Sequence, residues 1–108
     1  MTDTLDDTRY LQIAEQAMAA IEAAADAIDL DSKRDGSVLR LDLDSGDQVI
    51  VNLQQPTHQV WLASRLGAHH YVWNGQHWCD TRTGETLGAA LQRVMAGLGA
   101  PSLALPSL

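Results

Sequence analysis

The sequence predicts an α+β fold, a two-layer α/β sandwich with the element order α-β(5-6)-α and two helices packed on one face of an antiparallel sheet. Two observations predict it. Apolar residues recur at three- and four-residue spacings near both ends of the chain, and a two-residue alternation broken by turn residues fills the middle. Neither helix can bury its apolar stripe alone, so both should cover one sheet face and leave the other to solvent. The length of 108 residues predicts one domain, residues 1–108.

The first predicted helix runs from about Asp7 to Asp29 and carries two stripes. Its apolar stripe consists of Leu11, Ala14, Met18, Ile21, Ala25 and Ile28. Beside it, acidic residues recur at offsets of seven, eleven and fourteen, which places them on one helix face. These acids are Glu15, Glu22, Asp26 and Asp29. The helix should therefore bury one face and present a row of carboxylates on another.

The middle of the chain predicts an antiparallel sheet made of hairpins. Strands alternate in residue type, turns contain Gly, and Pro56 ends a strand because it lacks an amide donor. The Asn74-Gly75 pair is a strong signal for a two-residue turn. The predicted strands are residues 38–44, 48–54, 58–63, 71–73 and 76–79.

The second helix is predicted from near Thr86 to Leu98. Its apolar stripe is Leu87, Leu91, Val94 and Leu98, and Gly99-Ala100-Pro101 should end it. The leucine-rich tail from Ser102 to Leu108 is expected to lie back over the helices and extend the core.

Charge is distributed unevenly along the chain. Residues 1–47 hold twelve of the fourteen acids and four bases, a net charge of −8, whereas residues 48–108 carry a net charge of +1. Such a surface repels nucleic acid and anionic membranes, and it attracts cations or basic protein surfaces. The single cysteine, Cys79, cannot form an intrachain disulfide, and the N-terminus lacks the features of a secretory signal. A cytoplasmic protein is expected, with neither nucleic acid nor membrane as a partner.

Four segments of the chain are distinctive when taken together with the element order: Gly36–Leu39, Val49–Asn52, Gln55–Ala63 and Trp78–Thr86. The most specific part is residues 52–63, where a proline precedes the run His-Gln-Val-Trp-Leu-Ala. In these segments and in its element order the chain resembles the frataxin family, specifically its bacterial branch.

The resemblance implies a protein that binds iron (Fe2+/Fe3+) weakly through carboxylates and acts in iron–sulfur cluster assembly. It implies a cysteine desulfurase and a cluster scaffold as partners, in a non-enzymatic role as iron donor or regulator. It assigns iron binding to Glu15, Glu22, Asp26, Asp29 and Asp31, with Asp42 and Asp44 as further candidate contributors. These seven residues are called the acidic ridge below. It assigns partner binding to Asn52, Gln54, Gln59 and Trp61.

Other interpretations of the carboxylates stay open. Carboxylate oxygens suit hard or borderline cations, and a row open to water predicts several weak sites. The same row could simply be a solvated helix face, in a plain interaction module without a metal role. A ferroxidase or iron-storage oligomer is the enzymatic alternative, although the sequence lacks a Glu-x-x-His di-iron pattern. The expected state is a monomer, with an iron-dependent oligomer as the alternative.

Strand alternation predicts where the aromatic residues lie. Val60 and Leu62 share one face of their strand and Gln59 and Trp61 the other, so an inward aliphatic pair leaves Trp61 on the solvent side. An exposed tryptophan beside amides is typical of a binding hot spot, and a tryptophan covered by neighbouring side chains is the alternative.

A second group of side chains follows from the next hairpin. Tyr71, Trp73 and Trp78 are expected in the core, which would send His70, His77 and Cys79 outward. Together they form a candidate site for a softer metal, but their spacing matches no known metal motif, so incidental surface residues are the preferred interpretation.

Overall fold

A computed structural model describes residues 5–108. It contains two α-helices, α1 (Asp7–Ala27) and α2 (Leu87–Gly97). Between them lie six strands and a 3-10 turn over Gln55–Thr57. The strands are β1 (Asp31–Asp35), β2 (Val38–Asp42), β3 (Gln48–Gln54), β4 (Gln59–Ser64), β5 (Gly67–Trp73) and β6 (Trp78–Asp80). They form one sheet in chain order with every neighbouring pair antiparallel, which confirms the predicted fold class.

Helix α1 begins and ends on recognisable capping interactions. Asp6 is the N-cap, and its carboxylate accepts a hydrogen bond of 2.7 Å from the backbone N–H of Arg9. At the other end Asp29 adopts a left-handed φ of 54°, and the Leu30 N–H donates to the Ala25 carbonyl at 2.9 Å. The helix therefore ends at Ala27, two residues before the predicted Asp29.

One position of the predicted apolar stripe on α1 is wrong. Leu11 is 37% exposed, whereas Tyr10, Ile13 and Ala17 are buried. The Tyr10 hydroxyl donates to the Gln59 carbonyl at 2.6 Å and so fixes which face of the first turns meets the sheet. The sequence pattern alone could not supply this contact across 49 residues.

Strand β1 was missed by the sequence analysis. Its residues, Asp31 to Asp35, are all polar, and it forms because Gly36 turns the chain back at a φ of 59° to pair with β2. It is an edge strand, where charged side chains discourage pairing with other molecules. Pairing with β2 therefore makes this segment a strand, because its own residues have no apolar pattern.

The turn between β5 and β6 also differs from the prediction. Trp73 pairs with Trp78, so the loop spans four residues instead of the two expected at Asn74-Gly75. The Asn74 side-chain oxygen accepts from the N–H groups of Gln76 and His77 at 2.9 and 2.7 Å, which stabilises the longer loop. This register puts both indoles on the helix side.

A single cluster of buried side chains joins the sheet to both helices. Tyr71 and Trp78 are buried as predicted, and Trp73 is partly buried against them. The predicted α2 stripe is confirmed, because Leu87, Leu91, Val94 and Leu98 are all buried. Neither helix of the described chain is long and apolar enough to cross a membrane.

The C-terminal tail lies back on this cluster, as predicted. Leu103 and Leu108 are 2% and 8% exposed. The Gln92 side chain holds the backbone of Leu103 at both polar groups, donating to its carbonyl and accepting from its N–H at 3.0 Å.

Candidate functional site

The acidic ridge lies at the surface but does not form one continuous site. Six of its members are on or after α1 and at the β1–β2 end of the sheet, and the seventh, Asp44, is in the turn after β2. These acids fall into three groups, according to the residues that lie beside each of them. The groups are Glu15 and Glu22 with the exposed Asp26, then Asp31 with Asp42, then Asp29 with Asp44.

The first group contacts a base that the sequence analysis did not connect with it. Arg34 Nη2 lies 2.6 Å from Glu15 Oε1, and Arg34 Nη1 lies 3.6 Å from Glu22 Oε1. Glu15 and Glu22 share a face of α1 because they are seven residues apart. Arg34 reaches both from β1, the strand packed against that part of the helix.

The second group lies at the β1–β2 edge. Asp31 stands opposite Asp42 in the register, an arrangement that places two like charges together. Asp42 also contacts Arg40, at 3.1 Å from the guanidinium Nε, and accepts from the Gln48 amide at 3.1 Å. Arg40 therefore places a positive charge beside Asp42.

The third group lines a shallow cleft where both helices end. Asp29 and Asp44 are exposed, and the cleft wall is mixed, with apolar side chains beside polar groups. Its apolar side chains include Ile28, Leu30, Leu43 and Leu98. The last turns of α1 and α2 carry no basic residue, so the negative ends of both helix dipoles stay uncompensated by side chains there.

Open carboxylates of this kind suit weak, exchangeable cation binding. In residues 5–108, no three His, Cys, Asp or Glu side chains are grouped to hold one metal ion. Hard cations bind carboxylate oxygens and water molecules together as ligands. A pair of surface acids can therefore bind such a cation without enclosing it.

The sheet face turned away from the helices, called the open face below, carries the four predicted partner-binding residues. Val60 and Leu62 are buried, and Gln59 and Trp61 are partly exposed on the opposite side, as predicted. Asn52 pairs with Trp61 in the register, and Gln54 pairs with Gln59. All four side chains therefore form one continuous patch across β3 and β4.

Trp61 is partly covered on the open face. Its ring stacks on His70 of β5 with centroids 4.1 Å apart and planes inclined by 6°. Its Nε1 donates to the Gln59 side-chain oxygen at 2.8 Å. These two contacts fix the indole in one orientation and leave part of it accessible.

The predicted outward group of His70, His77 and Cys79 does not come together. His70 and Cys79 lie on the open face, but His77 bonds through Nε2 to the Ser107 hydroxyl at 2.7 Å, on the C-terminal tail. His77 lies in the loop before β6, where strand alternation no longer applies. The expectation that all three point outward together is wrong for His77.

The buried acid at the end of β6 was not predicted from the sequence. Asp80 is 5% exposed, and its carboxylate accepts from the N–H groups of Arg82 and Thr83 at 2.7 and 3.2 Å. Its second oxygen lies 2.9 Å from His69 Nδ1. Burial raises the pKa of Asp80, but the two backbone N–H groups and His69 outweigh burial and hold that pKa below its usual range. The sequence signal for this acid was the Asp-x-x-x-Gly pattern of residues 80–84, which is typical of a turn.

The sequence comparisons agree with this architecture. The family described as a frataxin-like domain matches residues 3–98. The chain belongs to the frataxin family. It is 41% identical over 95 residues to the iron-sulfur cluster assembly protein CyaY of Variovorax paradoxus, covering 82% of this chain and 86% of the relative. It is 44% identical over 92 residues to the protein of the same name from Burkholderia mallei, covering 81% and 85%.

Solved frataxin structures share the fold. The frataxin of Psychromonas ingrahamii matches with a TM-score of 0.84 and 32% identity, over 92% of this chain and 96% of that one. A trimeric frataxin from Saccharomyces cerevisiae, complexed with ferrous iron, matches with a TM-score of 0.65 and 20% identity, over 90% and 88%. At that identity the yeast structure supports the fold alone.

Proposed function

We propose that this chain is a cytoplasmic protein of iron–sulfur cluster assembly that binds iron on its acidic ridge and acts on a cysteine desulfurase and a cluster scaffold. The observation that carries the proposal is the exposed set of carboxylates on α1 and the residues that follow it, in a member of the frataxin family. Relatives that cover most of the chain are named iron-sulfur cluster assembly proteins. The role proposed is non-enzymatic, as iron donor or regulator.

The exposed carboxylates of the acidic ridge favour a role in delivering iron or in regulating cluster assembly. Ferrous iron bound by one or two carboxylates and water exchanges readily, because few ligand bonds hold it. The same negative surface attracts a basic protein surface, and this attraction weakens as salt screens it. Iron and a basic partner would therefore compete for the same side chains.

The open face supplies a second, less charged contact surface. Trp61 is fixed by His70 and Gln59, so little side-chain freedom is lost when a partner packs on it. Rigid aromatic side chains of this kind dominate the energetics of many interfaces. We propose that the Asn52, Gln54, Gln59 and Trp61 patch contacts the scaffold or the desulfurase.

The test is a cluster-assembly assay with desulfurase and scaffold, run with and without iron, together with binding isotherms for both proteins and for ferrous iron. The test variant replaces four acids of the ridge: Glu15→Gln, Glu22→Gln, Asp26→Asn and Asp29→Asn. The matched control removes four charges elsewhere: Asp7→Asn, Asp35→Asn, Asp47→Asn and Glu85→Gln. The proposal expects the ridge variant to lose affinity for iron and desulfurase while the control loses little of either.

Two results would overturn the proposal. If the ridge variant binds iron and desulfurase at low salt as well as the parent protein does, the acidic ridge has no such role. If ferrous iron added to the protein drives oxygen consumption with catalytic turnover, the chain is a ferroxidase instead of a binding protein.

A further inference from the structure

The hydroxyl of Tyr10 connects helix α1 to the residue that holds Trp61. Tyr10 is buried in the first turns of α1, and its hydroxyl donates to the Gln59 carbonyl at 2.6 Å. The side-chain oxygen of Gln59 in turn accepts the Trp61 Nε1–H at 2.8 Å. Gln59 is therefore held by α1 through its backbone, and it holds the indole through its side chain.

Gln59 lies where the chain enters β4, directly after a residue in an unusual conformation. His58 adopts a left-handed φ of 52°, which is uncommon for a residue with a side chain. Such a conformation persists only where neighbouring contacts hold it. Tyr10 supplies two of these contacts, because its ring stacks on the His58 imidazole with centroids 5.0 Å apart and its hydroxyl bonds the next residue.

The other contact between α1 and this turn is open to water. His58 Nε2 lies 2.7 Å from Asp7 Oδ1, but the Asp7 side chain is 68% exposed, and solvent screens a pair of this kind. The Tyr10 hydroxyl is buried instead. Burial raises the pKa of Tyr10 to about 12, so the hydroxyl keeps its proton and remains a donor at neutral pH. The Tyr10 bond is therefore the stronger of the two contacts.

We propose that Tyr10 is a positioning residue for partner binding, because its hydroxyl fixes Gln59 and Gln59 fixes the indole of Trp61 in the orientation that a partner contacts. This inference rests on the proposed function, since it concerns how the patch on the open face is held. A side chain that is already fixed loses little freedom on binding. Loosening Gln59 should therefore weaken binding, although the buried Tyr10 does not itself touch the partner.

The first test measures how fast the Trp61 indole N–H exchanges with water, in NMR spectra of the full chain. Tyr10→Phe keeps the buried ring and removes only the hydroxyl. It should speed this exchange by about three- to tenfold, the range that corresponds to the net free energy of one hydrogen bond. The indole N–H of the buried Trp78 shows in the same spectra whether the fold is intact.

Tyr71→Phe is the matched control for the loss of a buried hydroxyl. Tyr71 is as buried as Tyr10, but no group in the described residues hydrogen-bonds its hydroxyl. Removing that hydroxyl should leave the Trp61 exchange rate within about twofold of the parent value, because no bond is lost.

The second test is a double-mutant cycle on binding to the scaffold and to the desulfurase. Tyr10→Phe should weaken binding of the partner that contacts Trp61 by about three- to tenfold. In a Trp61→Ala background the same substitution should change affinity by less than about twofold, because the side chain through which Tyr10 acts is gone. A general structural loss would lower affinity by the same factor in both backgrounds.

The outcomes separate this inference from the function on which it rests. The positioning role is overturned if Tyr10→Phe leaves the Trp61 exchange rate unchanged, or if Tyr71→Phe raises that rate as much. It is also overturned if exchange is faster but affinity is unchanged, or if affinity falls equally in both backgrounds. In all these cases the proposed function stands as long as Trp61→Ala weakens binding. If Trp61→Ala binds both partners as tightly as the parent, the proposed role of the patch fails together with the inference.

Discussion

The indole of Trp61 lies flat against the imidazole of His70, with ring centroids 4.1 Å apart. The two residues are paired directly in the register of β4 and β5, on the face of the sheet opposite the helices. His70 covers one side of the indole, and the Gln59 side chain accepts its N–H. Trp61 is thus a positioned surface residue, neither fully exposed nor part of the core.

The two tryptophans Trp61 and Trp78 should respond oppositely to truncation. Trp78 is 1% exposed and packs edge-on against Tyr10, so Trp78→Ala should destabilise the fold by about 3 to 5 kcal/mol. Trp61→Ala should cost less stability, because the indole is only partly covered, yet weaken partner binding by about 2 kcal/mol or more. Chemical denaturation and binding isotherms measure both. If Trp61→Ala unfolds at as low a denaturant concentration as Trp78→Ala, or binds partners with the affinity of the parent, Trp61 does not act as a surface anchor.

Asp80 should make the protein sensitive to acid. Its pKa is lowered in the folded state relative to about 3.9 in an unfolded chain, so its stabilising contribution is full above that value and is lost as pH falls through the folded pKa. Asp80→Asn should therefore lower stability at neutral pH and flatten the loss of stability below about pH 4. Denaturant unfolding from pH 7 to pH 3 measures this. The exposed Asp35→Asn is the control, and an acid limb as steep in Asp80→Asn as in the parent would contradict the assignment.

Gly88 offers a stabilising substitution. It lies within α2, and a Cβ there would meet the Leu108 Cβ at 3.8 Å, an ordinary van der Waals distance. Gly88→Ala should stabilise the fold by about 0.5 to 1 kcal/mol, because alanine loses less backbone entropy in a helix. Gly99 is the contrasting position, since its φ of +72° disfavours any side chain. Thermal melts should rise for Gly88→Ala and fall for Gly99→Ala; the opposite order would show that the tail packs differently on α2.

The C-terminal tail should contribute measurably to stability. Leu103 is 2% exposed and its backbone is held by Gln92, so Leu103→Ala should cost about 2 to 5 kcal/mol, as for other buried leucines. Leu105 is only partly buried, and Leu105→Ala serves as the matched control with a smaller loss. Equal losses in denaturant unfolding would mean that the tail is held by its overall apolarity and not by the Leu103 position.

The sequence by itself determined the elements whose pattern is local. Five of the six strands, both helices and the buried tail follow from apolar periodicity, turn residues and caps, because these depend on neighbours within a few residues. The face of Trp61 also followed from alternation with Val60 and Leu62. The acids of the ridge could be named because seven-residue spacing on a helix fixes a common face.

Tertiary structure decided what depends on contacts between distant residues. Strand β1 exists through pairing with β2, and only that register turns Arg34 toward Glu15 and Glu22, 19 and 12 residues away. The rotation of α1 that exposes Leu11 depends on the bond from Tyr10 to Gln59, and the cover on Trp61 depends on the pairing of β4 with β5. Periodicity indicates which side of an element is apolar, but the neighbour that a polar side chain meets is set by how the elements pack, which no local pattern encodes.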